Sequence, residues 1–193
     1  FSNGVPIYLS ISGGKDSIVL SQIVYDLIFE GKINPKQLTV IFIDEEGMYD
    51  DVIEIVEEWR VKFLKVGAQF DWYCIQVKHF NCLNYLTADE TWVCWDIREK
   101  EKWMRQPPPY AIREHPLLRE GVDNYQTFLP RICADGITLM GVRAAESLMR
   151  LNNFAKLGSS GNKGFKTTYD SAYPTYDWTD KDIWLFIKER NIN

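Results

Sequence analysis

An apolar run, Ile7-Tyr-Leu-Ser-Ile11, leads directly into Ser12-Gly13-Gly14-Lys15-Asp16-Ser17, and an amphipathic run begins at Ser17. No other stretch restricts the fold as much, because it predicts a strand that delivers a glycine turn to the start of a helix. At such a junction unpaired backbone N–H groups and the positive end of the helix dipole face one point, so an anion such as phosphate is the natural occupant. Gly13 and Gly14 allow a sharp turn and a close approach, and Lys15 adds a mobile positive charge. The usual nucleotide P-loop is excluded, since Leu9 stands where that pattern needs a glycine. The plainer alternative is a glycine turn with a solvated Lys15 and an Asp16 that merely caps the helix. The complete hexapeptide between a strand and a helix favours phosphate binding.

The rest of the chain supplies the setting. Ile18, Val19, Ile23, Val24, Leu27 and Ile28 recur at helical spacing up to Gly31, and Leu38-Thr-Val-Ile-Phe-Ile43 reads as a parallel strand covered on both faces, with Asp44 at its end. A second helix runs from Tyr49 to about Val66, with Val52, Val56, Trp59 and Phe63 as its apolar stripe. Strands follow over Asp71 to Val77 and over Gly136 to Val142. This β-α-β-α-β order predicts an α/β fold, a doubly wound parallel sheet of Rossmann-like type. If the fourth strand pairs beside the first, away from the second, strand order reverses there. A crevice then opens at the carboxyl ends of both, holding the cradle and the segment after Val142.

At 193 residues the chain suits one such domain, 1–193, and two full domains would be cramped. It carries an aromatic-rich insertion at about 78–131 and a flexible glycine- and serine-rich loop at about 156–166, where Lys156, Lys163 and Lys166 are candidate anion contacts. In the insertion Trp92, Trp95 and Trp103 interleave with Arg98, Lys100, Lys102 and Arg105. Glu99 and Glu101 alternate with the lysines, so a solvated helix face with inward tryptophans is the better reading, and a base-stacking surface is the alternative. The insertion is expected to act as a lid that shapes substrate choice. Near the end, Thr179 and Asp182 open a last helix whose apolar face is Ile183, Trp184, Phe186 and Ile187.

A net charge of −5 argues against a general nucleic-acid-binding surface. No run of about 18 apolar residues and no charged leader with an apolar core is present, so a soluble, cytoplasmic protein without a membrane contact is expected. Cys74, Cys82, Cys94 and Cys133 are scattered, which favours reduced thiols, with Cys74 in the core. They lack the grouping an iron–sulfur cluster needs, so none is expected. A zinc set of His79, Cys82, Cys94 and Cys133 has nonstandard spacing, so no metal site is assigned, and His115 reads as structural. A start at Phe1 and a stop at Asn193 read as a trimmed version of a longer protein.

Ser12 through Ser17 resembles the PP-loop of the adenine nucleotide alpha hydrolase superfamily. That hexapeptide, Ile43-Asp44, Gly141-Val-Arg143-Ala-Ala-Glu146-Ser147 with Arg150, and Tyr176-Asp-Trp-Thr179 occur in the order seen in the phosphoadenosine phosphosulfate (PAPS) reductase family. The resemblance covers most of the chain and covers the insertion poorly. It implies phosphate or sulfate binding by Ser12, Gly13, Gly14, Lys15, Asp16, Ser17 and Arg143, and nucleotide binding by Ile43, Asp44, Gly141 and Arg150. Chemistry supports part of this independently: Gly141 permits a close approach at a strand end, and Arg143 offers a planar donor fork. Alternatively, Arg143 or Arg150 simply pairs with Glu146.

The implied ligand is an adenine nucleotide: PAPS, adenylyl sulfate or ATP, with Mg²⁺ if ATP is the substrate. Family reductases carry a cysteine nucleophile in a Glu-Cys-Gly-type C-terminal segment. That segment is absent from this chain, so no catalytic residue is assigned. Three functions stay open: sulfonucleotide reduction or sulfur transfer by thiolate attack, cleavage of ATP between its α and β phosphates with adenylylation of an acceptor, and a non-enzymatic nucleotide-binding regulatory module. The first implies a protein reductant and the third a partner protein, while the sequence leaves the oligomeric state open.

Overall fold

A computed structural model describes residues 4–80, 91–156 and 170–192. In chain order the elements are β1 (Ile7–Ile11), α1 (Lys15–Phe29), β2 (Leu38–Ile43), α2 (Asp50–Lys65), β3 (Gln69–Tyr73) and a hairpin of β4 (Lys78–Phe80) and β5 (Thr91–Val93). After a 3-10 turn at Ile97–Lys102 come α3 (Tyr125–Ile132), β6 (Ile137–Leu139), α4 (Leu148–Lys156), β7 (Asp170–Ala172) and α5 (Asp180–Arg190).

β3, β2, β1, β6 and β7 form one sheet in that order, all parallel. β1 is central because Ile7, Leu9 and Ile11 are buried while Tyr8 and Ser10 are half-buried, so neither face of the strand is free of cover. It pairs with β2 from Ile7↔Leu38 to Ile11↔Phe42 and with β6 from Ile7↔Ile137 to Leu9↔Leu139. The doubly wound sheet predicted from the strand pattern is therefore present, and its order reverses between β1 and β6. On α2, Val56, Trp59 and Phe63 are buried. Tyr25 of α1 meets Trp59 and Phe63 edge-on at 6.1 and 5.7 Å, which locks the two helices together.

Several boundaries differ from expectation for physical reasons. β3 ends at Tyr73, and the chain beyond it pairs instead with the insertion: Cys74 N donates to Ile112 O (2.9 Å) and Ile112 N to Trp72 O (2.7 Å). The insertion thereby covers an otherwise open sheet edge. β7 has no apolar run, only Asp-Ser-Ala, and exists through its pairing with β6. The insertion forms a hairpin and a 3-10 turn where a helix face was expected. Trp95 sits at φ 55°, and Asp96 accepts from Arg98 N (3.0 Å), so the chain turns there. Trp95 is buried and Trp103 packs on it at 5.4 Å, while Trp92 stays partly exposed. His115 packs edge-on against Tyr73 and Phe128, a structural role as read from the sequence.

One buried carboxylate, Asp44, fastens the insertion to the sheet, and a second, Asp123, braces it internally. Asp44 is 1% exposed and accepts from Arg105 Nη1 (2.9 Å) and Nη2 (2.5 Å), Trp72 Nε1 (2.9 Å) and Glu46 N (2.9 Å). Its carbonyl accepts from Trp95 Nε1 (2.7 Å). Asp123, fully buried, accepts from Arg119 N (2.7 Å), Arg119 Nη2 (2.8 Å), Thr127 Oγ1 (3.0 Å) and Arg131 Nη2. Burial acts to raise the Asp123 pKa, but the hydrogen bonds from Arg119, Arg131 and Thr127 outweigh it and hold the carboxyl well below the ordinary carboxylate range.

Replacing Arg105 with Ala leaves the Asp44 charge buried without its cation, a loss of about 3–5 kcal/mol in urea unfolding, partly restored in the Asp44→Asn/Arg105→Met double variant. For Asp123 the folded pKa is depressed, so its stabilisation is present above the unfolded value near 3.9 and fades as pH falls through the folded value. Asp123→Asn should thus cost about 1–3 kcal/mol at pH 7, with the gap to the parent narrowing below about pH 4.

Candidate functional site

The turn after β1 divides its two glycines into different jobs. Gly13 has φ +77°, and a Cβ there would lie 2.5 Å from Val52 Cγ1 and 3.2 Å from Val56 Cγ2, so the turn nests against α2 only without a side chain. Gly14 is the α1 N-cap at φ −75°, and a Cβ there would meet nothing nearer than Ser12 Oγ at 3.6 Å. Ser17 closes the turn. Its Oγ accepts from Ser12 N (3.1 Å) and the Ser12 hydroxyl (3.2 Å) and donates to Gly14 O (2.9 Å). Among the described residues no side chain caps the α1 N-terminus, where the first-turn amides lack intrahelical partners.

The end of β6 leans on that same turn. A Cβ on Gly141 would come within 2.8 Å of Asp16 O and 3.0 Å of Ser17 Cα, so glycine is what lets the two backbones meet. Between them lies an open cleft of ≈ 420 Å³ at the carboxyl ends of β1 and β6. One wall carries Ser10, Ser12, Gly14, Lys15, Asp16 and Ser17, and the other carries Met140, Gly141, Val142, Glu146 and Arg150. Ser10, Met140 and Val142 had no signal in the sequence beyond their place at strand ends.

Charges around the cleft are largely paired. Arg143 is 1% exposed and does not line the cleft: its Nε lies 3.0 Å from Asp16 Oδ1, and its Nη2 donates to Asp180 Oδ1 at 2.8 Å. Two carboxylates and the Trp178 carbonyl (3.3 Å) surround its guanidinium, so the anion contact expected of Arg143 would require these bonds to rearrange. Burial acts against its charge, and the bonds to Asp16 and Asp180 override it and raise its pKa. The same bond from Arg143 lowers the pKa of Asp180. Lys15 Nζ lies 3.7 Å from Asp16 Oδ2 and 3.6 Å from Asp180 Oδ1. Arg150 lines the cleft and pairs with Glu146, whose Oε2 also accepts from Arg143 N (3.0 Å).

Ile43 and Asp44 end β2 on the other side of β1 and do not line this cleft. The Asp44 carboxylate, expected to serve a nucleotide, accepts here from Arg105, Trp72 and the Glu46 amide. Lys163 and Lys166 lie outside the described residues, as do the side chain of Lys156 and most of the loop at 156–166.

A family model described as the phosphoadenosine phosphosulfate reductase domain matches residues 6–193. The chain belongs to the PAPS reductase domain family. It is also 27% identical over 201 residues to the uncharacterized protein YbdN of Escherichia coli (strain K12), covering 93% of this chain and 47% of YbdN. The chain thus spans about half the length of that curated relative. The structure of the U34-tRNA thiolase NcsA from Methanococcus maripaludis, with its [4Fe-4S] cluster, superposes over 100% of this chain and 59% of the thiolase. Its TM-score is 0.52 at 11% identity, a shared fold.

The thiolase corrects one expectation. Scattered cysteines were taken to exclude an iron–sulfur cluster, yet a protein of this fold carries one, so spacing alone is no ground for exclusion. In this PAPS reductase domain Cys74, Cys94 and Cys133 are buried apart. Cys74 Sγ donates to Asp44 Oδ2 (3.6 Å), and Cys94 Sγ lies 3.3 Å from the Tyr125 hydroxyl. Burial raises all three thiols, Cys94 to about 12 and Cys133 to about 11. Among the described residues no group of three or more His, Cys, Asp or Glu is placed to hold a metal, and Cys82 lies outside them. Nor is any described helix long and apolar enough to cross a membrane.

The three glycines should separate on substitution. Gly13→Ala and Gly141→Ala, which meet backbone or packed side chains, are expected to cost about 1–3 kcal/mol in thermal unfolding. Gly14→Ala should unfold near the parent temperature.

Proposed function

We propose that the cleft between β1 and β6 binds an adenine nucleotide, with its phosphoryl or sulfuryl tail on the amides of the first α1 turn. The observation that carries this reading is the uncapped α1 N-terminus opening onto a cleft of ≈ 420 Å³ where strand order reverses. Membership of the PAPS reductase domain family supports a sulfonucleotide, and sulfonucleotide reduction or sulfur transfer as the chemistry. A thiolate attacking the bound sulfur forms an S–S bond while the sulfur–oxygen bond breaks. The negative charge of the leaving adenosine phosphate then develops beside the helix N-terminus and Lys15. None of the three described cysteines lines the cleft.

Paired side chains set how the ligand is held. Lys15 must leave Asp180, and Arg150 must leave Glu146, to reach an anion. The helix amides need no such rearrangement and provide the fixed part of the site.

Parallel calorimetric titrations with PAPS, adenylyl sulfate and ATP test the reading, with a sulfonucleotide expected to bind most tightly. Tighter ATP binding with pyrophosphate release would select adenylyl transfer instead, and heat from none of the three would remove the nucleotide site. Lys15→Ala should weaken binding about tenfold at unchanged thermal stability. Arg143→Ala should lower the unfolding temperature, because it strands Asp16 beneath the cleft.

A further inference from the structure

A second pocket, of ≈ 320 Å³, opens on the other side of β1 and belongs almost wholly to the insertion. Glu46, from the connection after β2, forms part of its lining, with the Trp92 and Trp103 rings and the acidic side chains of Asp96 and Glu99. Lys102 also lines it. Two of these carboxylates already hold cations: Asp96 pairs with Arg98 Nη2 at 2.5 Å, and Glu99 pairs with Lys102. Glu46 does not. It is 8% exposed, its Oε2 accepts from Trp95 N at 2.6 Å, and no ion pair among the described residues includes it. A carboxylate held at this low exposure by one backbone hydrogen bond and no ion pair favours a positive group entering the pocket.

The walls suit the same ligand. Tryptophan faces attract cations, and the Trp103 ring already draws two: Arg113 Cζ at 5.3 Å and Lys100 Nζ at 5.9 Å from its centroid. Of the carboxylates that line it, Asp96 and Glu99 are paired, which leaves Glu46 as the one without a cation among the described residues. The pocket therefore opposes in charge preference the cleft at the α1 N-terminus.

We propose that this pocket is a binding site for an organic cation, an alkylammonium or alkylguanidinium group, with Glu46 as its counter-ion and Trp92 and Trp103 as its walls. The group belongs either to a free amine or to the Lys or Arg side chain of a peptide. This proposal does not depend on the nucleotide reading, since the two pockets share no residue.

Butylguanidinium and its neutral isostere butylurea are the direct probes, followed by tryptophan fluorescence and by the indole N–H signals of Trp92 and Trp103. A capped Gly-Arg-Gly peptide tests the second source. Butylguanidinium should saturate the signal and shift both indoles, with butylurea at least tenfold weaker. Glu46→Gln keeps an acceptor for Trp95 N–H, so it should unfold like the parent yet bind butylguanidinium at least tenfold more weakly. Trp92→Leu should weaken binding severalfold. Tighter binding of the tripeptide assigns the site to a side chain of a partner, and tighter binding of the free guanidinium assigns it to a small amine. Equal affinity for butylurea, unchanged affinity in Glu46→Gln, or no saturable response to either cation would overturn the proposal.

Discussion

The buried guanidinium of Arg143 joins three segments that are far apart in the chain: Asp16 in the PP-loop, the connection after β6, and Asp180 at the start of α5. Arg143 and Asp16 are the buried members and Asp180 is largely exposed, so the guanidinium charge is tolerable only while the segments that carry its carboxylates are in place. The PP-loop is thus shaped from behind. Its turn rests on α2 through Gly13, its first helical turn rests on β6 through Gly141, and Arg143 draws the N-terminus of α5 onto the same spot. An anion site built from backbone amides needs this rigidity, because its selectivity comes from fixed dipoles and not from adaptable side chains.

A parallel arrangement stands on the other side of β1. Asp44 ends β2, and Arg105, Trp72 and Trp95 converge on it, so the insertion is fastened to the sheet by a second buried carboxylate. The carboxyl edge of the sheet is therefore crowded with charge that the protein itself neutralises. Among the described residues, α1 on one side of β1 has no side-chain cap, and Glu46 on the other is in no ion pair. The two proposed sites differ in sign for that reason.

Much of the fold was legible before any coordinates. The strand cores Ile7–Ile11 and Leu38–Ile43, the α2 stripe of Val56, Trp59 and Phe63, and the Thr179–Asp182 cap all appear as read, because periodicity and capping are local effects. Placement of the fourth strand beside β1 was only one option in the sequence, and the pairing of β1 with β6 settles it. β7 was invisible, since three residues of Asp-Ser-Ala carry no pattern of their own. The insertion was misread as a helix because alternating charges around tryptophans fit a helix face equally well, and the left-handed turn at Trp95 is not written in residue type.

For the candidate site the division is sharper. By itself the sequence determined that a strand, a two-glycine turn and a helix meet at Ser12 to Ser17, and that such a junction offers amides to an anion, because these follow from backbone sterics over a few residues. Only the tertiary structure decided which side chains Arg143 and Asp44 pair with. A guanidinium or a carboxylate serves a ligand or another side chain according to which opposite charge lies within about 3–4 Å, and partners such as Asp16, Asp180 and Arg105 come within reach only when the sheet has formed.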